Sequence, residues 1–303
     1  MRGGATLTID VRLPSKVKLY SGIHRFNVLD ILVERCGDNS RWDWLKIGCT
    51  AYSYRKPIVE GRMKLEDFIR ICGGYRLDGV ELTGYYFEST DRDYLRRIKR
   101  LCLDYGLDIY GTATRSDFCK HSRDDRMREV EHVKRWVEVA YFLGAPTLRV
   151  FAGSVPEGYS FDEALSWVVE SLKICGSYGE EYGVVISMEN HGGITATFEQ
   201  VSRILDSVDS EWVRLTLDLG NYRVDPYREI AESIKYAVNI HAKCHKPTPT
   251  RVDEVIDYPR IIPLLRERNY NGYLSIEYEG AAPAEEAVPV VIEGLRKLLG
   301  RVE

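Results

Sequence analysis

A closed (β/α)8 barrel with a short N-terminal extension is the α/β fold that the sequence predicts, on three observations. Eight short β-rich runs start 24–39 residues apart between residues 46 and 279, close to what one strand, one helix and two loops require. Between the runs, the apolar period switches from two to 3.6. After the first run the chain reads SYRKPIVEG, without the Gly-rich phosphate loop or Walker lysine that an open doubly wound sheet usually carries there.

The runs are KIGCTAY (46–52), DGVELTG (78–84), DIYGTAT (108–114), TLRVFAG (147–153), VVISMEN (184–190), RLTLDLG (214–220), VNIHAKC (238–244) and YLSIEYE (273–279). They are rich in Val, Ile, Leu, Thr and Tyr, as strands covered on both faces tend to be. Residues 92–105 set Tyr94, Leu95, Ile98, Leu101, Cys102 and Tyr105 on one helical face, and Gly106 follows as a C-cap. Residues 123–143 repeat the pattern with Met127, Val130, Val133, Val137 and Ala140, and stop at Gly144. Thr197 before Phe198-Glu199-Gln200 has the form of a capping box, which satisfies the first backbone N–H groups of a helix. The last helix carries Val288, Val291, Ile292, Leu295, Leu298 and Leu299, and ends at Gly300. Residues 1–45 stand outside this rhythm, although TLTIDVRL (6–13) alternates like a strand and FNVLDILVERC (26–36) suits one short helix. They are expected to form an appendage to a barrel of residues 46–303, packed on it or on a neighbouring chain in a homo-oligomer.

Composition excludes several classes. Of 303 residues, 44% are apolar and 29% charged, which leaves no room for a disordered or fibrous chain. Charged residues interrupt every apolar stretch well short of the roughly 18 residues that a membrane span needs. A net charge of −4 argues against a dedicated nucleic-acid binder. Seven widely spaced cysteines without a Cys-x-x-Cys pair suit a reducing compartment. The opening MRGGATLTID lacks the apolar core of a signal peptide, so a cytoplasmic protein is expected.

In such a barrel the chemistry sits at the C-terminal ends of the strands. The last four runs place Glu189, Asp218, His241 and Glu277 there. A lone strand-end aspartate often just caps the next helix. Four metal-ligand residue types on four consecutive strands converge on one point of the mouth, and buried carboxylates must be paired, hydrogen-bonded or metal-bound. A divalent metal is therefore expected, the alternative being a structural ion network. Three carboxylates and one imidazole make an oxygen-rich site suited to Mn²⁺ first, then Mg²⁺ or Co²⁺. Zinc prefers thiolate or more imidazole. The one nearby thiol, Cys244, alternates away from His241.

These residues carry a resemblance. The strand-end set, with KIGCTAYSY opening the barrel, ENHGG after the fifth strand, HAK on the seventh and IEYEG on the eighth, is similar to the sugar phosphate isomerase/epimerase family of the xylose-isomerase-like TIM-barrel superfamily. The resemblance covers about residues 46–300. It implies metal ligation by Glu189, Asp218, His241 and Glu277, with Glu189 and Glu277 also acting as acid and base. A metal chelating a ketose carbonyl and its neighbouring hydroxyl acidifies the C–H between them, and two carboxylates on distant strands can reach opposite faces of the sugar. Epimerisation, aldose–ketose isomerisation and dehydration share that first step. A non-catalytic sugar-binding barrel is the alternative outside enzymes.

Two departures bear on the subfamily. Ketose 3-epimerases commonly have a histidine three positions after the sixth-strand aspartate, where Asn221 stands here. Apurinic-site endonucleases of the superfamily bind three metals and need many more than this chain's six histidines. Glu81, Arg149, His191, Asn221 and Lys243 lie at or near strand ends and are expected to meet substrate. Each has a second expectation except Asn221: an ion-paired barrel residue for Glu81, neutralisation of the ligand carboxylates for Arg149, orientation of Glu189 for His191, a position away from the mouth for Lys243. Tyr52, Tyr54, Tyr85, Tyr86 and Phe87 suit either a sugar-stacking wall or plain packing. His121 and His132 are expected at the surface. CHKPTPT and EGAAP are not Gly-rich phosphate loops, which favours a non-phosphorylated substrate.

Overall fold

Each β-rich run becomes one strand in the computed structural model, which describes residues 45–301. The strands are β1 (Lys46–Thr50), β2 (Gly79–Thr83), β3 (Asp108–Ala113), β4 (Thr147–Val150), β5 (Val185–Glu189), β6 (Val213–Asp218), β7 (Ala237–Cys244) and β8 (Tyr273–Tyr278). They pair in parallel in sequence order, and β8 returns to β1 to close the barrel. The strand and helix expected within residues 1–45 lie outside the described residues. Most strands are shorter than their runs because the chain leaves the ladder at the mouth. In β4, for example, the Phe151 N–H donates to Ser116 Oγ at 2.9 Å, so a β-rich run reaching Gly153 yields a strand ending at Val150.

One main helix follows each strand: α1 (Leu65–Gly74), α2 (Arg92–Asp104), α3 (Arg123–Leu143), α4 (Phe161–Tyr182), α5 (Phe198–Val208), α6 (Pro226–Ser233), α7 (Tyr258–Glu267) and α8 (Ala284–Leu299). The expected stops are where the backbone turns left-handed: Gly144 after α3 at φ +84° and Gly300 after α8 at φ +71°, values that glycine adopts without a Cβ penalty. The capping box of α5 forms in both directions, Gln200 N–H to Thr197 Oγ1 and Thr197 N–H to the Gln200 side chain. The helices bury their apolar stripes against the barrel. Ile98, Val130, Val133, Val137, Val291 and Leu295 are fully buried, each worth about 1.5–3 kcal/mol relative to exposure.

The barrel interior is polar in its upper layers and plugged below. The Tyr110 ring crosses the lower interior where β1 has Gly48; a Cβ at that position would come within 2.3 Å of it. Its hydroxyl bonds Ser275, and the ring stacks on Tyr273 at 3.8 Å. Lys46 and Asp108 pair at the strand starts, 2.6 Å apart. At the other end, the loop after β7 is organised by Asp253. This carboxylate, 3% exposed, accepts the N–H groups of His245, Lys246, Val255 and Ile256 at 2.6–2.9 Å. Among the described residues, no helix is long and apolar enough to cross a membrane.

Candidate metal centre

Strand stagger brings the four residues to one point of the mouth although only Asp218 and His241 stand directly opposite, Glu189 facing Thr216 on β6 and His241 facing Ser275 on β8. Asp218 of β6 pairs with His241 of β7, and Lys243 of β7 pairs with Glu277 of β8. Alternation turns His241 and Lys243 inward together. One ligand atom from each of Glu189, Asp218, His241 and Glu277 lies within 4.8 Å of all the others, and all four residues are buried. His241 Nδ1 is 3.5 Å from Glu277 Oε1, 3.8 Å from Glu189 Oε2 and 4.0 Å from Asp218 Oδ2.

The hydrogen bonding of this cluster is incomplete in one direction only. Glu189 Oε2, Asp218 Oδ2 and His241 Nδ1 are buried without an aligned hydrogen bond, although Arg149 Nε and Lys243 Nζ stand 3.2 Å and 3.0 Å from the first two. Buried polar atoms are nearly always satisfied, and these three face one another. The far side of each residue is tied down. His241 Nε2 meets Glu81 Oε1 at 3.2 Å, and Glu81 also accepts from Asn239 Nδ2 at 3.0 Å. A proton on Nε2 directed at Glu81 leaves the Nδ1 lone pair for an ion. Asn190 bonds the Asp218 backbone twice, at 2.7 Å and 3.0 Å, and Asn221 Nδ2 donates to Glu189 Oε1 at 3.4 Å. Three carboxylates and one oriented imidazole with converging unsatisfied atoms can hold a divalent cation.

The charges are strongly coupled. Burial lifts Asp218 to about 8, with Lys243 opposing and Glu277 and Glu189 adding to the rise. Burial also works to raise Glu277, but Lys243 and His241 outweigh it and hold that carboxyl well below the usual range. For His241, burial disfavours the charge, yet Glu277 and Glu81 prevail and raise the imidazole well above its usual range. A cation held among these groups would compete with their protons, so its binding would release protons.

Above the cluster opens a cavity of about 1190 Å³. Arg149, Glu189, His191 and Glu277 line it, and the loops after β1, β2 and β3 wall it with Tyr52, Tyr86, Phe87 and Arg115. His191 lies with its ring against Phe151 at 4.3 Å. Arg149 is both a cavity residue and the partner of Glu189. Glu81, Asn221 and Lys243 do not line the cavity; each instead holds a member of the cluster, Lys243 bonding Glu277 and Glu279. The aromatic group divides. Tyr52, Tyr85, Tyr86 and Phe87 form wall, whereas Tyr54 is buried against Phe68 at 5.8 Å. His121 is exposed as expected, but His132 is half-buried because its Nε2 meets Thr114 Oγ1 at 2.8 Å. Cys244 bonds the Val252 carbonyl at 3.0 Å, away from the ligands. Sequence reasoning passes over Asn190 and Asn239, whose only signal is an inward polar residue in or beside an apolar run, and Arg115, which follows the third run.

Comparison with known proteins agrees with this architecture. Residues 72–298 match the family model described as xylose isomerase-like TIM barrel. An uncharacterised protein of Methanocaldococcus jannaschii, MJ1311, is 25% identical over 228 residues, 70% of this chain and 77% of that one. The crystal structure of a D-tagatose 3-epimerase-like protein superposes with a TM-score of 0.67 at 19% identity, covering 86% of this chain and 100% of the other. The probable 3-DHS dehydratase AsbF of Bacillus anthracis superposes with a TM-score of 0.68 at 16% identity, covering 85% and 100%. With three quarters of its length matched by the family model and its eight strands closed in order, the chain belongs to the xylose isomerase-like TIM-barrel family.

Proposed function

We propose that this protein is a divalent-metal-dependent isomerase or epimerase of a small sugar or keto-sugar. The observation that carries the reading is that Glu189 and Glu277 line the cavity floor from well-separated strands, both beside the converging donor set. Glu189, Asp218, His241 and Glu277 would hold the ion, Mn²⁺ first, which when bound supplies Lewis-acid polarisation of a carbonyl and its neighbouring hydroxyl. The two glutamates do the proton work. One removes the proton between those two oxygens, leaving an enediolate of the substrate. The other returns a proton to the opposite face, which inverts the centre, or to the neighbouring carbon, which exchanges aldose and ketose. Lys243 favours the ionised form of Glu277, as a base requires, and Arg149 steadies the charge on Glu189. Arg149 and His191 face the space where substrate would lie. Glu81, Asn221 and Lys243 act through the ligands they hold. Loss of a β-hydroxyl follows the same first step, and the likeness to a probable dehydratase keeps that outcome as the second reading.

The test is incubation with a panel of ketoses and keto-sugars in deuterated water with Mn²⁺, followed by NMR. Deuterium in recovered or isomerised sugar is the expected result. Loss of water from the sugar would give the dehydratase. No exchange with any of the panel, together with no bound divalent ion in the pure protein, would sink the proposal.

A further inference from the structure

The cavity wall holds an unbalanced set of charges. Of the seven described carboxylates lining the cavity, all but Asp117 are in ion pairs. Glu60 meets Arg62 at 2.6 Å, Glu88 meets Lys64 at 2.9 Å and Glu129 meets Lys120 at 2.5 Å. Glu189 has Arg149, while Glu277 and Glu279 share Lys243. Asp117 accepts the Cys119 N–H at 3.0 Å. The cations are different. Arg55, Lys56 and Arg115 line the same cavity, and among the described residues none of them forms an ion pair. Arg55 donates to the Tyr278 carbonyl at 2.6 Å and lies over the Tyr52 ring at 5.0 Å. Lys56 reaches only the Gly280 carbonyl, at 3.4 Å. Arg115 is exposed and lies over the Tyr85 ring at 4.6 Å.

Arg55 and Lys56 come from a short helix after β1 (Arg55–Val59) and Arg115 from the loop after β3, whereas the metal ligands come from β5 to β8. Tyr86 lies edge-on to Tyr85 at 5.9 Å, so the ring under Arg115 and its neighbour belong to one aromatic wall that also includes Tyr52, the ring under Arg55. A guanidinium lying over an aromatic face can still direct N–H groups at a planar oxoanion. Arg115 offers its fork, whereas Arg55 already uses Nη1 on the Tyr278 carbonyl and offers its remaining N–H groups. Acidic residues line the same cavity, but six of them are held in ion pairs, so Arg55, Lys56 and Arg115 are the charges left to face an anion. At about 1190 Å³ the cavity also exceeds the roughly 300–1,000 Å³ that houses a drug-sized ligand, so there is room for a group beyond the reacting carbons of a sugar.

We infer that the substrate is an anionic sugar derivative, its oxoanion received by Arg115 and Arg55 with Lys56 at the rim, while its carbonyl end faces Glu189 and Glu277. A guanidinium fork takes either a carboxylate or a phosphate; carboxylate is favoured because the loops after β7 and β8, CHKPTPT and EGAAP, are not Gly-rich phosphate loops. The orientation rests on the isomerase reading; the oxoanion site does not.

The experiment is calorimetric titration of the Mn²⁺-loaded full chain with D-glucuronate, D-galacturonate and D-gluconate, each against its neutral parent sugar, and with D-fructose 6-phosphate against D-fructose. At least one acid is expected to bind about tenfold or more tightly than its parent, with the advantage falling at high salt. Arg115→Gln should bring that ratio towards one, the double Arg55→Gln/Arg115→Gln variant should abolish it, and Mn²⁺ affinity should hold in both as the check on folding. A gain for the phosphate alone keeps the oxoanion site but makes phosphate its ligand. If no acid or phosphate outbinds its parent, or if the advantage survives the double variant, the inference is overturned. Exchange in deuterated water is scored separately. Exchange of neutral ketoses without an anion preference removes the oxoanion site alone, and an anion preference without exchange removes the isomerase reading alone.

Discussion

The two sides of the barrel mouth treat charge in opposite ways. On the side of β5 to β8, Glu189, Asp218, His241, Lys243 and Glu277 are at most 4% exposed and bond one another. Around β1 to β3, Tyr52, Arg55 and Tyr86 are half-buried and Arg115 is exposed, held through ring faces and a main-chain carbonyl. Strand geometry is the same on both sides, so the difference lies in what the side chains must do. Burying charges is costly unless they are paired, and the gain is exact placement of a few atoms. Leaving cations half-solvated costs little and keeps donors open for a ligand. Chemistry and recognition should therefore be separable by mutation.

The largest expected effect breaks the buried side. Glu277→Gln should slow solvent-deuterium exchange into substrate by about 10²–10⁴-fold, and Asp218→Asn should abolish Mn²⁺ binding measured by calorimetry. Beneath the ligands, Glu81→Ala removes the acceptor that orients His241 and should weaken Mn²⁺ about 10–100-fold. Glu81→Gln, which keeps an acceptor oxygen, should lie much closer to the parent protein. Asp253→Asn loosens the loop after β7 and should cost about 1–3 kcal/mol in thermal unfolding. Its pH dependence follows from sign. Burial alone would raise Asp253, but the N–H groups of Lys246, His245, Ile256 and Val255 outweigh it and depress the folded value. The stabilisation is full above the ordinary aspartate value of about 3.9 and is lost as pH falls through the lower folded one. The gap in Tm between parent and variant should thus narrow in acid. The smallest effect tests the open side. Tyr86→Ala should weaken sugar binding by about 2–10-fold, the range of an aromatic contact worth 0.5–1.5 kcal/mol, with Mn²⁺ affinity unchanged.

Most of the fold can be read in the chain because its signals are local. The run-and-helix period, the Thr197 box and the stops at Gly144 and Gly300 depend on neighbours a few residues away, and each appears in the structure. The convergence of Glu189, Asp218, His241 and Glu277 is also readable, since barrel topology alone brings consecutive strand ends together. Partner identity is not. Glu81 reaches His241 across 160 residues and Lys243 reaches Glu277 across 34, and which strand-end side chain turns to ligand rather than substrate depends on register. The same limit applies to His132, whose partner Thr114 sits on the strand-to-helix loop before it.

The Tyr110 ring across Gly48 fills the barrel interior on the side away from the mouth. On the proposed function, ion, sugar and solvent protons would enter through the mouth, with the four-residue cluster at the cavity floor. If that function holds, the ion would arrive before the sugar that covers it, and a bound sugar would become its lid. Stripping by a chelator should accordingly slow when sugar is present, and the order of addition should govern how quickly the full complex assembles.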